Sequence, residues 1–433
     1  MNKAILIHAG MGSRGFNSCG KGMDESWINH GLASIGAYLK LKGYEFRYLD
    51  LRKFKSWTQF LKEIHVMKPD IAGISATTVD YDIALKVAGL IKSVSPSKKT
   101  VLGGIHASVC PDECSTEGNF DHLIVGEGEV VFREIIEGKI FHKIIRGKPI
   151  EDLNELPFID RDIFGKNETP IYPTLFPKPF STFIASRGCP YNCSFCQPAE
   201  RIVFGRKMRS RSPENLVDEI EKCKKDLRIN SYLIHDDCML WNIEWVENFL
   251  SALSRKNLKM PFAIQSRADL ISKYPDLIKG LKMFGLTMIL IGFESGSQKI
   301  LDFLKKGTTV EHNFQAAKIC RNNNVAIWAN YMFGIPEETK SDVTKTVEMI
   351  REIKPEVCSP SFFTPYPGTY LSQYCDQRNL SLIGNYTDFR RNPEGRKIRG
   401  IDYHYLRKAV RESKNETLFV SFLKKAKKKI KRF

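Results

Sequence analysis

Short apolar runs alternate with amphipathic helical stretches twice along this 433-residue chain, with a proline-rich interval between the two series, and this pattern restricts the fold to α/β architectures built on parallel sheets. In the first series Ala4 to His8, Glu45 to Asp50, Ile71 to Ser75, Thr100 to Gly103 and His122 to Val125 read as strands. Helical periodicity fits between them at Gly31 to Lys42, Ser56 to Met67, Tyr81 to Ser93 and Glu129 to Glu137. The expectation is a doubly wound parallel sheet over residues 1–147, with ligands at the glycine-rich strand ends. Residues 148–180 hold Pro149, Pro157, Pro170, Pro173 and Pro177 and little periodicity, and read as a linker. The alternation restarts with strands at Phe183 to Ser186, Tyr232 to His235, Phe262 to Ser266, Met288 to Phe293, Ala326 to Phe333 and Val357 to Thr364. Six strands within residues 181–370 are too few for a closed eight-stranded barrel and predict an open, partial (βα)6 one. Beyond Tyr370 the alternation stops, so residues 371–433 read as a C-terminal extension with a basic, mainly helical tail.

Most of the formal net charge of +17 belongs to that extension: from Arg390 onward the chain carries 16 Lys/Arg against 4 Asp/Glu, which is +12 of it. A basic groove across the body is therefore not implied, and nucleic acid is not the expected partner. The N-terminal segment shows no cleavable signal pattern, and no stretch reaches the ~20 apolar residues of a membrane span. The expected compartment is the cytoplasm, where clustered cysteines point to metal or catalysis rather than to disulfides.

The cluster that stands out is Cys189, Cys193 and Cys196, spaced CxxxCxxC just after the first strand of the second series. Three thiolates on one short loop suit three irons of a cubane and leave the fourth iron open to a small molecule. The alternatives are a zinc site, which usually needs a further ligand pair not evident here, or three unrelated buried cysteines. Cys223, Cys238, Cys320 and Cys358 fall mostly within predicted elements and read as small core residues.

The loop, including the aromatic Phe195 before its third cysteine, resembles that of the radical S-adenosylmethionine (SAM) superfamily. The resemblance runs over roughly Ser181 to Gly368 and includes strand-end motifs: Asp236-Asp237, Gln265 with Arg267, Gly292 to Gly296, Gly334 to Glu338 and Thr364 to Thr369. It implies a 4Fe-4S cluster on Cys189, Cys193 and Cys196, with SAM held by Phe195, Asp236, Asp237, Gln265, Arg267, Glu294, Ser295, Gly334 and Ile335. In that reading Glu294 and Ser295 meet ribose hydroxyls, Arg267 forks onto the methionyl carboxylate, and the Gly334 turn brings backbone to the adenine. The Gly-Gly-Glu-type turn of many members is replaced by His235-Asp236-Asp237-Cys238-Met239.

The N-terminal series is similar to the Rossmann-like cobalamin-binding domain found ahead of such barrels, on Gly31 to Leu39, Pro69 to Ser75, Gly103 to Ser108 and Val125 to Glu129. The resemblance implies cobalamin contacts from Ser75, Thr77, Gly103, Gly104, His106, Gly126, Glu127 and Gly128. The DxHxxG segment of many cobalamin proteins is absent, and neither His8 nor His106 has its context. The combined resemblance is to cobalamin-dependent radical SAM methyltransferases: reductive cleavage of SAM to a 5'-deoxyadenosyl radical, then methylation of an unactivated carbon. It further implies a reducing partner such as flavodoxin or ferredoxin, and a small-molecule or lipid-linked substrate.

Two alternatives differ in kind. One is a radical SAM enzyme of another reaction type, a methylthiotransferase, rearrangement or cyclisation, with a cofactor-free N-terminal domain. Cys19, Cys110 and Cys114 raise the methylthiotransferase case, but their spacing is unlike that family's and the tail has no counterpart of its RNA-binding barrel. The other is a non-enzymatic iron-sulfur redox or binding module. The apolar run Thr417 to Leu423, followed by a Lys-rich end, fits an amphipathic helix on the inner membrane surface, a nucleic-acid arm or a solvated terminus.

Overall fold

The computed structural model describes residues 3–10, 28–164 and 176–414. Its first sheet has six parallel strands: β1 (Ala4–His8), β2 (Phe46–Asp50), β3 (Ile71–Ser75), β4 (Lys99–Gly103), β5 (His122–Val125) and β6 (Ile144–Arg146), in the order β2-β1-β3-β4-β5-β6. Side chains on successive strand residues point to opposite faces, so β1 divides its apolar residues between two cores. Ile5 and Ile7 pack with Phe60, Ile64, Ala84 and Val87 of the helices Trp57–Met67 and Tyr81–Val94. Ala4 and Leu6 pack with Leu32, Leu39, Phe132 and Ile135 of the helices His30–Leu41 and Glu129–Ile136. Covering both faces is what a near-continuous apolar strand such as AILIH requires. The strand order reverses between β1 and β3, which opens a crevice at their carboxyl ends.

The second sheet begins at β7 (Phe180–Phe183), after which β8 (Ser186–Arg187) and β9 (Arg209–Ser210) form a separate antiparallel pair. It continues through β10 (Ser231–Ile234), β11 (Phe262–Arg267), β12 (Leu286–Glu294), β13 (Ala326–Phe333) and β14 (Val357–Phe362), all parallel and paired in chain order from β7. This is the open six-stranded partial barrel. Phe262, Ile264, Ile289 and Ile291 face the helices in the largest core. The alternate residues Leu233, Ala263, Met288, Leu290 and Trp328 form a small apolar plug on the other face. Gln265 and Arg267 continue that second face toward the carboxyl ends of the strands, where it turns polar.

Three elements differ from the sequence-based expectation. The first barrel strand lies at Phe180–Phe183, three residues early, because Asp236 takes the next turn out of the sheet: it accepts from Ala185 N at 2.7 Å and from Ser186 Oγ at 2.6 Å. The short strand β6 was not anticipated, its three residues offering too brief a pattern. The stretch expected as a linker is partly a wall: Arg161 is buried, donating to Ser181 Oγ at 2.8 Å, Thr182 O at 2.8 Å and Glu219 Oε1 at 3.1 Å. After Tyr370 the chain forms the helix Tyr370–Gln377, a turn at Tyr386–Phe389 and the helix Tyr403–Ser413, which packs on the barrel. Cys19 and the Lys-rich tail lie outside the described residues. Among the described residues no helix is long and apolar enough to cross a membrane.

Candidate functional site

The cysteine loop is pinched at its base by the β8–β9 pair and leaves it through Gly188, whose φ of +94° is a conformation that side-chain-bearing residues rarely adopt. Backbone bonds from Cys196 N and Gln197 N to Cys193 O, at 3.0 and 2.8 Å, then wind the loop into a tight turn. Cys193 is buried, while Cys189 and Cys196 are partly exposed. Burial, reinforced by Glu200, pushes the Cys189 thiol up to about 12 and raises that of Cys196 as well. Thiols held this high lose their protons to a metal rather than to water.

Two buried cations flank the loop. Arg267 lies 3.6 Å over the Tyr191 ring and directs Nη1 to Cys193 Sγ at 3.7 Å, and Lys306 pairs with Glu294 Oε1 at 2.8 Å. They offset the negative charge that three thiolates bring. Both amide atoms of Gln197, which is 1% exposed, have no hydrogen-bond partner among the described residues. Orphaned polar atoms beside three convergent thiols fit a bound polar group. Burial and the neighbouring Asp237 raise the Glu200 carboxyl to about 8.

Between the carboxyl edges of the two sheets lies a cavity of about 540 Å³. The first sheet contributes Ser75, Thr77, Gly103, Gly104, Gly126, Glu127 and Gly128, and the barrel contributes His235, Asp236, Asp237 and Gln265. A Cβ at Gly103 would meet nothing within 4 Å, so a ligand can reach the backbone there. At Gly104, with φ +96°, a Cβ would fall 2.6 Å from Ala76 O. Ile35, Leu153, Val203 and Phe204 supply apolar wall.

Several sequence-predicted residues take other places. His106 does not line the cavity; it is buried behind it, its ring against Tyr81. Phe195, Arg267, Glu294, Ser295, Gly334 and Ile335 also lie outside the cavity lining. Phe195 packs among Ile300, Leu304 and Ile335 beside the loop. The Arg267 fork is engaged by Lys306 O at 2.5 Å and Asp269 Oδ1 at 3.0 Å as well as by Cys193. Ser295 is fully buried, 3.1 Å from Thr346 Oγ1, and Gly334 N donates to Glu338 Oε2 at 2.6 Å. Asp236 spends its carboxylate on Ala185 and Ser186, and burial raises it to about 6. Glu127 receives Arg209 Nη2 at 2.6 Å, Ile150 N at 2.8 Å and Arg187 Nη1 at 3.2 Å. Its place is at a junction between the two halves.

Sequence reasoning missed Arg187, Arg161, His30 and His235 in the cavity wall. Arg187 carried the one usable signal, standing two residues before Cys189 and facing an acidic GEGE run.

Two family models match: Radical SAM superfamily over residues 183–350, and B12 binding domain over residues 23–136. The chain belongs to the radical SAM superfamily. This radical SAM enzyme therefore works with a 4Fe-4S cluster and SAM, and carries a cobalamin domain ahead of the barrel. It is 25% identical over 406 residues to an uncharacterised methyltransferase of Pyrococcus horikoshii, covering 88% of this chain and 86% of that one. It is 27% identical over 396 residues to the anaerobic magnesium-protoporphyrin IX monomethyl ester cyclase of Rubrivivax gelatinosus, covering 86% and 69%. Among solved structures, the radical SAM methyltransferase TsrM from Kitasatospora setae superposes with a TM-score of 0.68 at 18% identity, covering 87% of this chain and 76% of that one. The match establishes the shared fold.

Proposed function

We propose that this radical SAM enzyme methylates an unactivated carbon of a small molecule, with cobalamin in the inter-sheet cavity and the cluster on Cys189, Cys193 and Cys196. The observation that carries the reading is the cavity itself, which joins the carboxyl edge of a B12 binding domain to the edge that bears the cysteine loop. Methyltransferases recur among the relatives, including the hopanoid C-3 methylase of Methylococcus capsulatus at 25% identity over 369 residues, covering 81% of this chain and 69% of that one.

When bound, the cluster supplies the electron that cleaves SAM, and cobalamin supplies a methyl carrier able to meet a carbon radical. The chain's own residues position and insulate. Arg267 and Lys306 balance the thiolates, and Asp237 and Gln265 present polar atoms to the cavity. Gly103 and Gly104 let a flat ligand lie against backbone, and Ile35, Leu153 and Phe204 exclude water. A flavodoxin- or ferredoxin-like donor supplies the electron.

The test is the full chain expressed with cobalamin and given SAM and reductant. About four irons and one cobalt per chain are expected, with 5'-deoxyadenosine and S-adenosylhomocysteine both released. Deoxyadenosine with no S-adenosylhomocysteine in cobalt-loaded protein would move the assignment to the cyclase-like reaction that the Rubrivivax relative's name describes. Failure to cleave SAM at all would leave only an iron-sulfur binding module.

A further inference from the structure

Behind the cavity, the first domain carries a second set of ligating side chains that the radical chemistry does not use. Strand β4 ends in Gly103-Gly104, and the chain continues as the helix Ile105–Val109, Cys110 and the helix Pro111–Ser115. His106, Cys110 and Glu113 stand at i, i+4 and i+7, with Cys110 at the break between the two helices (φ −127°, ψ 50°), and the break leaves the three side chains facing one another. Their ligating atoms all lie within 4.8 Å of one another. Cys114 is fully buried and is not part of the set.

The imidazole makes the set more than a surface cluster. His106 is 1% exposed, and its Nε2 has no hydrogen-bond partner among the described residues. Its Nδ1 lies 3.3 Å from Thr78 Oγ1. With the proton on Nδ1 and donated to Thr78, Nε2 presents a bare lone pair, 3.9 Å from Glu113 Oε2. Tyr81 packs on the ring at 4.0 Å between centroids and Tyr386 meets it edge-on at 5.5 Å. Tyr386 also donates its hydroxyl to Glu113 Oε1, orienting the carboxylate from the far side. An oriented imidazole, a thiol and a carboxylate held by a second residue are what a borderline divalent ion takes, and the thiol selects against magnesium and calcium.

We propose that His106, Cys110 and Glu113 bind one zinc-class ion, with water completing the tetrahedron, and that the ion clamps the C-terminal extension onto the first domain. Tyr386 belongs to the turn Tyr386–Phe389 of the extension, so a metal that fixes Glu113 also fixes the contact Tyr386 makes with it. The helix so anchored starts at Ile105, in the cavity wall, and ends at Val109, against which a Cβ at Gly368 would lie at 3.1 Å. The clamp would hold one wall of the cavity without touching its contents.

The test uses the full chain with its cluster reconstituted, treated with chelator and titrated with zinc chloride alone, read by zinc and iron analysis and zinc-edge X-ray absorption. The expected result is one zinc beyond about four irons, with a single sulfur at about 2.3 Å and N/O ligands at about 2.0–2.2 Å. C110S and H106A should each weaken zinc binding at least about tenfold, with iron content and circular dichroism unchanged. C114S should bind as wild type does. C110S alters one partly exposed atom and decides the matter should H106A fail to fold. Absence of zinc uptake, a zinc with two or more sulfurs, or C110S binding like wild type overturns the proposal. Eight irons per chain, falling to four in C110S, would also overturn it by assigning these cysteines to a second cluster.

Discussion

Replacing Arg187 by methionine tests how the two halves of the molecule are joined. Arg187 Nη2 donates to Glu129 Oε1 at 2.6 Å, and Arg187 Nη1 reaches Glu127 Oε2 at 3.2 Å. Glu127 keeps Arg209 when Arg187 is lost, so the damage falls on Glu129, a carboxylate 3% exposed that retains the Ser34 hydroxyl at 2.7 Å and its own backbone N–H but no cation. Removing one partner of a buried pair costs about 3–5 kcal/mol. At ~2–4 °C per kcal/mol for a unit of 150–250 residues, the melting midpoint at pH 7 should fall by roughly 6–20 °C. The pH dependence carries a sign. Burial works to raise the Glu129 carboxyl, but Arg187 and Ser34 outweigh it and hold its pKa below the usual 4.5. In the wild type this stabilisation is present above pH 4.5 and is lost as the pH falls through the lowered value. In R187M burial wins, the folded pKa rises above 4.5, and the penalty shrinks as the pH falls toward that value. The gap between the two proteins should narrow from pH 7 to pH 5. The double variant R187M/E129L should recover most of the loss, since an apolar pair replaces an unpaired charge. Differential scanning calorimetry of the full chain over this range reads all three outcomes. A single variant as stable as wild type, a gap that widens in acid, or a double variant no better than the single would refute the reasoning.

Gly103→Val should place a branched side chain in open cavity space at a strand end that tolerates it, lowering cobalamin affinity at least about tenfold while iron content stays unchanged, as read by equilibrium binding. Glu338→Gln should stabilise the protein at alkaline pH. Burial raises that carboxyl to about 8, so wild-type stability declines between pH 4.5 and about 8 as the group would ionise, and the neutral isostere removes the slope in melting curves. Arg267→Met should keep about four irons per chain but shift the cluster potential to more negative values in an electron paramagnetic resonance titration, because a cation 3.7 Å from Cys193 Sγ is lost.

What the sequence made legible was local or periodic. Strands β1, β3 and β5 and the strand Ala326–Phe333 match their apolar runs residue for residue, because a strand covered on both faces is written as an almost unbroken run of apolar residues. The cysteine loop was legible because its spacing is its chemistry. The contacts that were not legible join residues far apart in sequence: Arg187 to Glu129 across 58 positions and Arg209 to Glu127 across 82. A sequence shows such charges as ordinary surface residues, and burial alone turns them into connections. Arg161 was hidden in a stretch whose prolines suggested a spacer. Arg267 and Glu127 were located at strand ends correctly, but the partners that occupy them come from other elements.

Those long-range pairs bear on the proposed use of two cofactors by one chain. Arg187 stands two residues before Cys189 and binds Glu127 and Glu129, the acids that flank Gly128 at the edge of the B12 binding domain. Arg209, closing the other end of the cysteine loop, holds Glu127 as well. Both stems of the loop are therefore tied to one glycine-rich turn of the first sheet, and the cysteines cannot shift against that turn without breaking buried ion pairs. In the proposed reaction the substrate carbon would have to lie within reach of both the cysteine-loop edge and the B12 binding domain, and a misplacement of about 1 Å can cost about a hundredfold in rate. R187M should consequently impair product formation more than SAM cleavage. Partial reactions measured on the same preparation at a temperature where the variant is folded separate the two, and an equal loss in both would show that the ion pairs serve stability alone.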